Sequence, residues 1–94
     1  MDAAWNNQGV ALGNLGRVED AIASYDKALK FQPYNDVAWY NRGVELGKLG
    51  RLKEAIASYD KALEIKPDFH GAWMNRSIAV KNAPRYKQSN YEIL

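Results

Sequence analysis

The chain has 94 residues, no cysteine, a single histidine (His70) and a net charge of +2. This length fits one domain, and the composition excludes disulfide staples, thiolate metal sites and any multi-histidine metal centre. Its 13 basic and 11 acidic residues are interspersed, which describes a solvated surface rather than a nucleic-acid footprint, although base outnumbers acid from Arg76 onward.

The first element is expected over about residues 3–15, where Trp5, Gly9, Leu12 and either Leu15 or Gly16 fall on one helical face. Asp2 is placed to cap it. Leu15-Gly16-Arg17 breaks the helix, because glycine adopts the left-handed C-terminal conformation without a Cβ penalty. A second helix is expected over about 18–31, with Val18, Ala21, Ile22, Tyr25, Ala28 and Leu29 forming an amphipathic stripe. Pro33 ends this segment. A third helix, about 37–49, carries Trp39, Gly43 and Leu46 on one face and is capped by Asn35 or Asp36. After Leu49-Gly50-Arg51, a fourth helix over about 52–65 repeats the stripe of the second and stops before Pro67. Asp68 would cap a fifth helix over about 70–82, and a sixth is expected over about 85–94.

The segment Ala21–Leu29, AIASYDKAL, recurs letter for letter at Ala55–Leu63, 34 positions on. Sliding the chain by 34 pairs Asp2–Pro33 with Asp36–Pro67, and 21 of the 32 positions are identical, so the helices are copies of one hairpin. A third copy begins at His70 and keeps Ala72, Trp73, Asn75, Arg76, Arg85 and Lys87. The small residues Gly9, Ala21 and Ala28 let two backbones approach, and Trp5 and Tyr25 fill the space beside them. A lone hairpin cannot bury its apolar face, so each copy must stack on the next. All three tryptophans are expected in the core.

These residues resemble the tetratricopeptide repeat, a 34-residue helix–turn–helix with Trp, Leu-Gly, Tyr, Ala, Phe and Pro at fixed offsets. Those roles fall on Trp5, Gly9, Leu12, Ala21, Tyr25, Ala28 and Pro33, and again on Trp39, Gly43, Leu46, Ala55, Tyr59, Ala62 and Pro67. In the third unit Ser77 and Val80 stand with Trp73, and Ser89 and Ile93 fall in its second helix. One domain is expected over 1–94, with repeats at 2–35 and 36–69 and a divergent partial repeat at 70–94. Gln8, Arg42 and Arg76 replace the usual leucine, and their stems can cover apolar surface while the polar ends reach water. Leu12 and Leu46 replace an aromatic residue, and Ala83-Pro84 replaces Leu-Gly. The resemblance implies an all-α, right-handed superhelical solenoid, with a concave face lined by the first helix of each unit.

At 100° per residue, the side of each first helix opposite its tryptophan holds Asn7 and Val10, then Asn41 and Val44, then Asn75 and Ile78. Tyr40 and Met74 flank that side, as Asn6 does in the first unit. A purely solvated face would not collect these apolar groups, so a mixed apolar and amide groove is expected. An asparagine amide matches the C=O and N–H of a peptide unit without reading its side chain. Helices about 8–10 Å apart and a strand advance of about 3.3 Å place one asparagine at roughly every third ligand residue. The ladder resembles those of longer arrays of the family, which hold extended peptides. The competing reading is that the asparagines are inherited copies or bond within the superhelix. On that reading Val10, Val44 and Ile78 pack on the neighbouring first helix, and Tyr40 and Met74 fill the space between repeats.

The expected function is therefore a protein-interaction scaffold that holds an extended or short helical segment of another protein. The alternative is a structural repeat fragment that self-associates through exposed solenoid ends or by helix exchange. One subclass of the family clamps chaperone carboxylate tails with lysine, arginine and asparagine. The matching positions here are Asn6, Val10, Asn41, Gly71 and Asn75, so every clamp cation is missing and that ligand is not expected. No enzymatic activity and no cofactor are expected: Ser24 and Ser58 sit in the repeated helix without a histidine, and the glycines follow helix-facing spacing. No apolar run nears the roughly 20 residues of a bilayer span and no secretory signal follows Met1, so a cytoplasmic protein without membrane partners is expected.

Overall fold

The computed structural model describes residues 2–83, which form five helices: α1 (Asp2–Asn14), α2 (Val18–Phe31), α3 (Asp36–Lys48), α4 (Leu52–Ile65) and α5 (His70–Asn82). The sixth helix expected from the sequence lies outside the described residues. Helices α1 and α3 each stop one residue before the expected end. Gly16 and Gly50 take φ of +81° and +75°, and the chain turns out of the helix there. Arg17 N–H donates to the Leu12 carbonyl at 2.9 Å and Gly16 N–H to Gly13 at 3.0 Å; Arg51 to Leu46 and Gly50 to Gly47 repeat the pattern. That paired bonding satisfies the last carbonyls of each first helix.

The caps differ more. Asn35 caps α3 as expected, its side chain accepting from Ala38 N–H at 3.0 Å. Asp2, however, is α1's own first residue, and α5 is preceded by Phe69 rather than by Asp68, with no side-chain cap bond. The reason for the second departure is packing. Phe69 occupies the place of Asn35, and its ring stacks on Tyr40 at a centroid distance of 4.8 Å. A capping bond is exchanged there for an aromatic contact between α3 and the residue that precedes α5.

Each hairpin closes on a ring set against a glycine. A Cβ placed on Gly9 would lie 2.6 Å from the Tyr25 ring, and one on Gly43 would lie 2.6 Å from the Tyr59 ring. No side chain fits in that space. Ala21, Ala28, Ala55 and Ala62 are fully buried along the same seams, so the paired backbones approach as the small residues predict. Between repeats, Ile22 of α2 joins Leu46, Ala55, Tyr59, Leu63 and Ala72 in one cluster. Trp5 and Trp39 pack on a second cluster of Ala28, Leu29 and Ala38.

Trp73 departs from the expected core position, being 49% exposed. Trp39 lies between α2 and the cluster built on α4. Among the described elements, α5 packs only on α4 and α3. The indole N–H of each is still satisfied: Trp39 donates to the Pro33 carbonyl at 2.8 Å and Trp73 to the Pro67 carbonyl at 2.7 Å. The proline that ends each second helix thus anchors the next tryptophan.

The array curves. First helices touch across repeats, α1 with α3 and α3 with α5, whereas α2 and α4 do not meet. Since α1, α3 and α5 lie closer together, they form the inner side of the curve.

The two glycine classes make opposite predictions. Gly43→Ala forces a Cβ into the Tyr59 ring and is expected to lower unfolding free energy by about 1–3 kcal/mol. A Cβ on Gly47 meets no atom within 4 Å, so Gly47→Ala is expected to stabilise by up to about 1 kcal/mol through helix propensity. Urea unfolding followed by circular dichroism reads both; stabilisation by Gly43→Ala would contradict the ring-on-glycine contact.

Candidate functional site

The residues expected to line the inner side of the curve belong to α1, α3 and α5. Asn7 is exposed, while Asn41 and Asn75 are half-buried. Val10 and Ile78 are exposed and Val44 is half-buried. Met74 stands out from the surface at 65% exposure.

The three asparagines do not share one environment. Asn75 Nδ2 donates to the Tyr40 hydroxyl at 3.1 Å, a bond between consecutive repeats. Tyr40 itself packs between repeats, against Phe69, at 5.9 Å from the Tyr59 ring, and beside Gly71, where a Cβ would sit 3.3 Å from its hydroxyl. Asn6 takes the equivalent place in the first unit, too short to extend a phenol toward Asn41. The Asn6 Oδ1 is buried without a hydrogen-bond partner. Identical residues 34 apart therefore present different polar groups to the groove.

The gaps between first helices differ as well. Between α1 and α3 the space is filled by Glu45, whose carboxylate is buried and approaches Gly13: a Cβ there would lie 2.8 Å from its Oε2. Lys48 Nζ sits 3.0 Å from that oxygen, while Oε1 is buried without a hydrogen-bond partner. One repeat on, the equivalent residue is Ala79. The gap between α3 and α5 there is an open cavity of about 280 Å³, with Val44 and Gly47 on one wall and Ile78 and Ala79 on the other. Gly13 and Gly47, alike in sequence, thus face a carboxylate and an empty space.

Two ion pairs between a first helix and the preceding second helix were not read from the sequence. Arg42 Nε donates to Asp26 Oδ1 at 2.7 Å, and Arg76 Nε to Asp60 Oδ1. The arginines do not merely extend to water, and Asp26 pairs across repeats with Arg42 rather than with Lys30. Arg42 Nη1 also donates to Ser58 Oγ, and Ser58 is fully buried. The two pairs have the same 16-residue spacing, which would have revealed them once the hairpins were stacked. Such partly exposed pairs fix register more than they add stability.

The tetratricopeptide repeat profile matches residues 3–35 and 37–69, and the chain belongs to that family. No curated protein sequence matches it. Among solved structures 84 chains match, so the fold is too widely shared to choose a ligand by itself. One of them is the first TPR of Spaghetti (RPAP3), bound to the HSP90 peptide SRMEEVD. It superposes with a TM-score of 0.83 at 23% identity, over 84% of this chain and 63% of that one. Its likeness is one of fold, and the present chain spans under two thirds of its length. No described helix is long and apolar enough to cross a membrane.

Tyr59 lines the open gap and Tyr25 is buried against Gly9; burial pushes both hydroxyls up to about 12, with the Glu45 carboxylate adding to the effect. For Tyr59 the Asn75 amide opposes the rise. The unfolded chain loses these protons near 10 and the folded chain only near 12. The unfolded state therefore binds fewer protons over that interval, and stability falls as pH rises through it. Unfolding free energy measured from pH 9 to 12 is expected to decline above pH 10, and Tyr25→Phe is expected to flatten the decline. An unchanged slope in that variant would contradict a buried, neutral hydroxyl.

Proposed function

We propose that the protein is a protein-interaction module that holds an extended segment of a partner along the inner face of α1, α3 and α5. The observation that carries this reading is the curvature: first helices touch first helices whereas second helices do not touch each other, and on this reading the amide and aliphatic rows of Asn7/Val10, Asn41/Val44 and Asn75/Ile78 line the concave wall. Amides at that spacing bond peptide main chain, while the valines and Ile78 cover its apolar side chains. The structural neighbour bound to an HSP90 peptide supports the use of this fold for peptide capture. Its acidic ligand is not transferred, because none of Asn6, Val10, Asn41, Gly71 and Asn75, at the positions that would clamp a carboxylate tail, is a cation. The reading assigns no catalysis: His70 is exposed at the start of α5, and Ser58 is held by Arg42.

A groove of this length is expected to bind with affinities of order micromolar. Dodecapeptides selected from a displayed random library should shift the backbone amides of Asn41, Val44, Asn75 and Ile78 in heteronuclear spectra. Asn41→Ala removes one or two main-chain hydrogen bonds and should weaken them roughly five- to tenfold. Shifts confined to α2 and α4 would overturn the proposal.

A further inference from the structure

The cavity between α3 and α5 has a counterpart between α1 and α3, and the contrast between them says what it takes. The counterpart is closed by the Glu45 side chain, 5% exposed, seated against Gly13. At the open gap Ala79 withdraws that side chain, and nothing lies within 4 Å of a Cβ on Gly47. The floor is the Tyr59 ring with Ala55, and no described side chain lining the cavity is charged.

We propose that this cavity is an anchor pocket for one bulky, uncharged side chain of the partner segment, and that residue 79 decides whether the pocket exists. The inference rests on the groove reading above and narrows its ligand. Charge complementarity selects the occupant: a charged side chain entering here would lose its hydration against a lining that, among the described residues, carries no charge. A neutral aliphatic or aromatic group loses nothing and buries apolar surface. Size agrees, since apolar cavities of about 150 Å³ already admit benzene and this one is about 280 Å³. Two amides, Asn75 and Asn82, stand among the lining residues. Asn75 donates one N–H to Tyr40, and its carbonyl oxygen remains an acceptor for a partner's main-chain N–H. The anchor and the main-chain bond thus meet at one ligand residue.

The test compares the whole chain with Ala79→Glu, which copies the side chain tolerated at Glu45, and with Gly47→Leu, which fills the same space from the opposite wall. Either variant suffices if the other fails to fold. Random dodecapeptides selected on the unaltered chain are expected to share one Leu, Ile, Met or Phe at a fixed position. Their affinity should fall at least tenfold in the filled-pocket variants and equally on replacing that residue by Ala. Peptides that bind the filled variants as tightly, or that share a charged anchor, would overturn the pocket and leave the groove reading standing. If no peptide is selected, the groove reading fails, and N-acetyl-leucinamide then probes the cavity alone. Shifts of the Gly47 and Ala79 amides that vanish in Ala79→Glu support the pocket; no shift at up to tens of millimolar overturns it.

Discussion

Everything in this molecule depends on a tyrosine ring pressed against a glycine, once in each complete hairpin. Tyr25 on Gly9 and Tyr59 on Gly43 leave no room for even one added carbon. The contact sets how closely the two helices of a hairpin approach, and hence how the next hairpin stacks. Ring and glycine lie in different helices, so neither helix alone specifies the hairpin. Burying the ring also desolvates its hydroxyl, which is why one contact affects packing, acid–base behaviour and the floor of the inner cavity together.

The curvature follows from which helices touch along the stack. Second helices are held apart while the first helices touch, and the Arg42–Asp26 and Arg76–Asp60 pairs tie each first helix to the preceding second one. Tryptophan indoles bonded to Pro33 and Pro67 carbonyls repeat that tie at the loop end. The wall formed by α1, α3 and α5 is thereby set by the stacking itself.

The hairpins, their period and the family were legible in the sequence because tiling forces the same residues to recur at fixed spacing. Ring-on-glycine contacts could be anticipated from Gly9 and Tyr25 for the same reason. What repetition hides is the consequence of single breaks in it. Tyr40 for Asn6 gives Asn75 a partner that Asn41 lacks, and Ala79 for Glu45 opens one gap of two. Phe69 for Asn35 replaces a capping bond by a stacked ring, and Trp73, identical in type to Trp39, is left half exposed. The outcome of each break depends on residues in another helix of the stack, beyond the reach of local pattern. The cross-repeat arginine pairs were missed similarly: Asp26 has a lysine four residues on along its own helix, and the competing partner is visible only after stacking.

The most direct check is the through-space contact between the Tyr59 ring protons and the Gly43 α-protons, with Tyr25 and Gly9 alongside, in a nuclear Overhauser spectrum of the whole chain. Strong cross-peaks for both pairs, with shielded glycine protons, are the result this account requires. Absent cross-peaks with freely titrating tyrosine hydroxyls would mean that the hairpins close some other way, and the concave wall would lose its foundation.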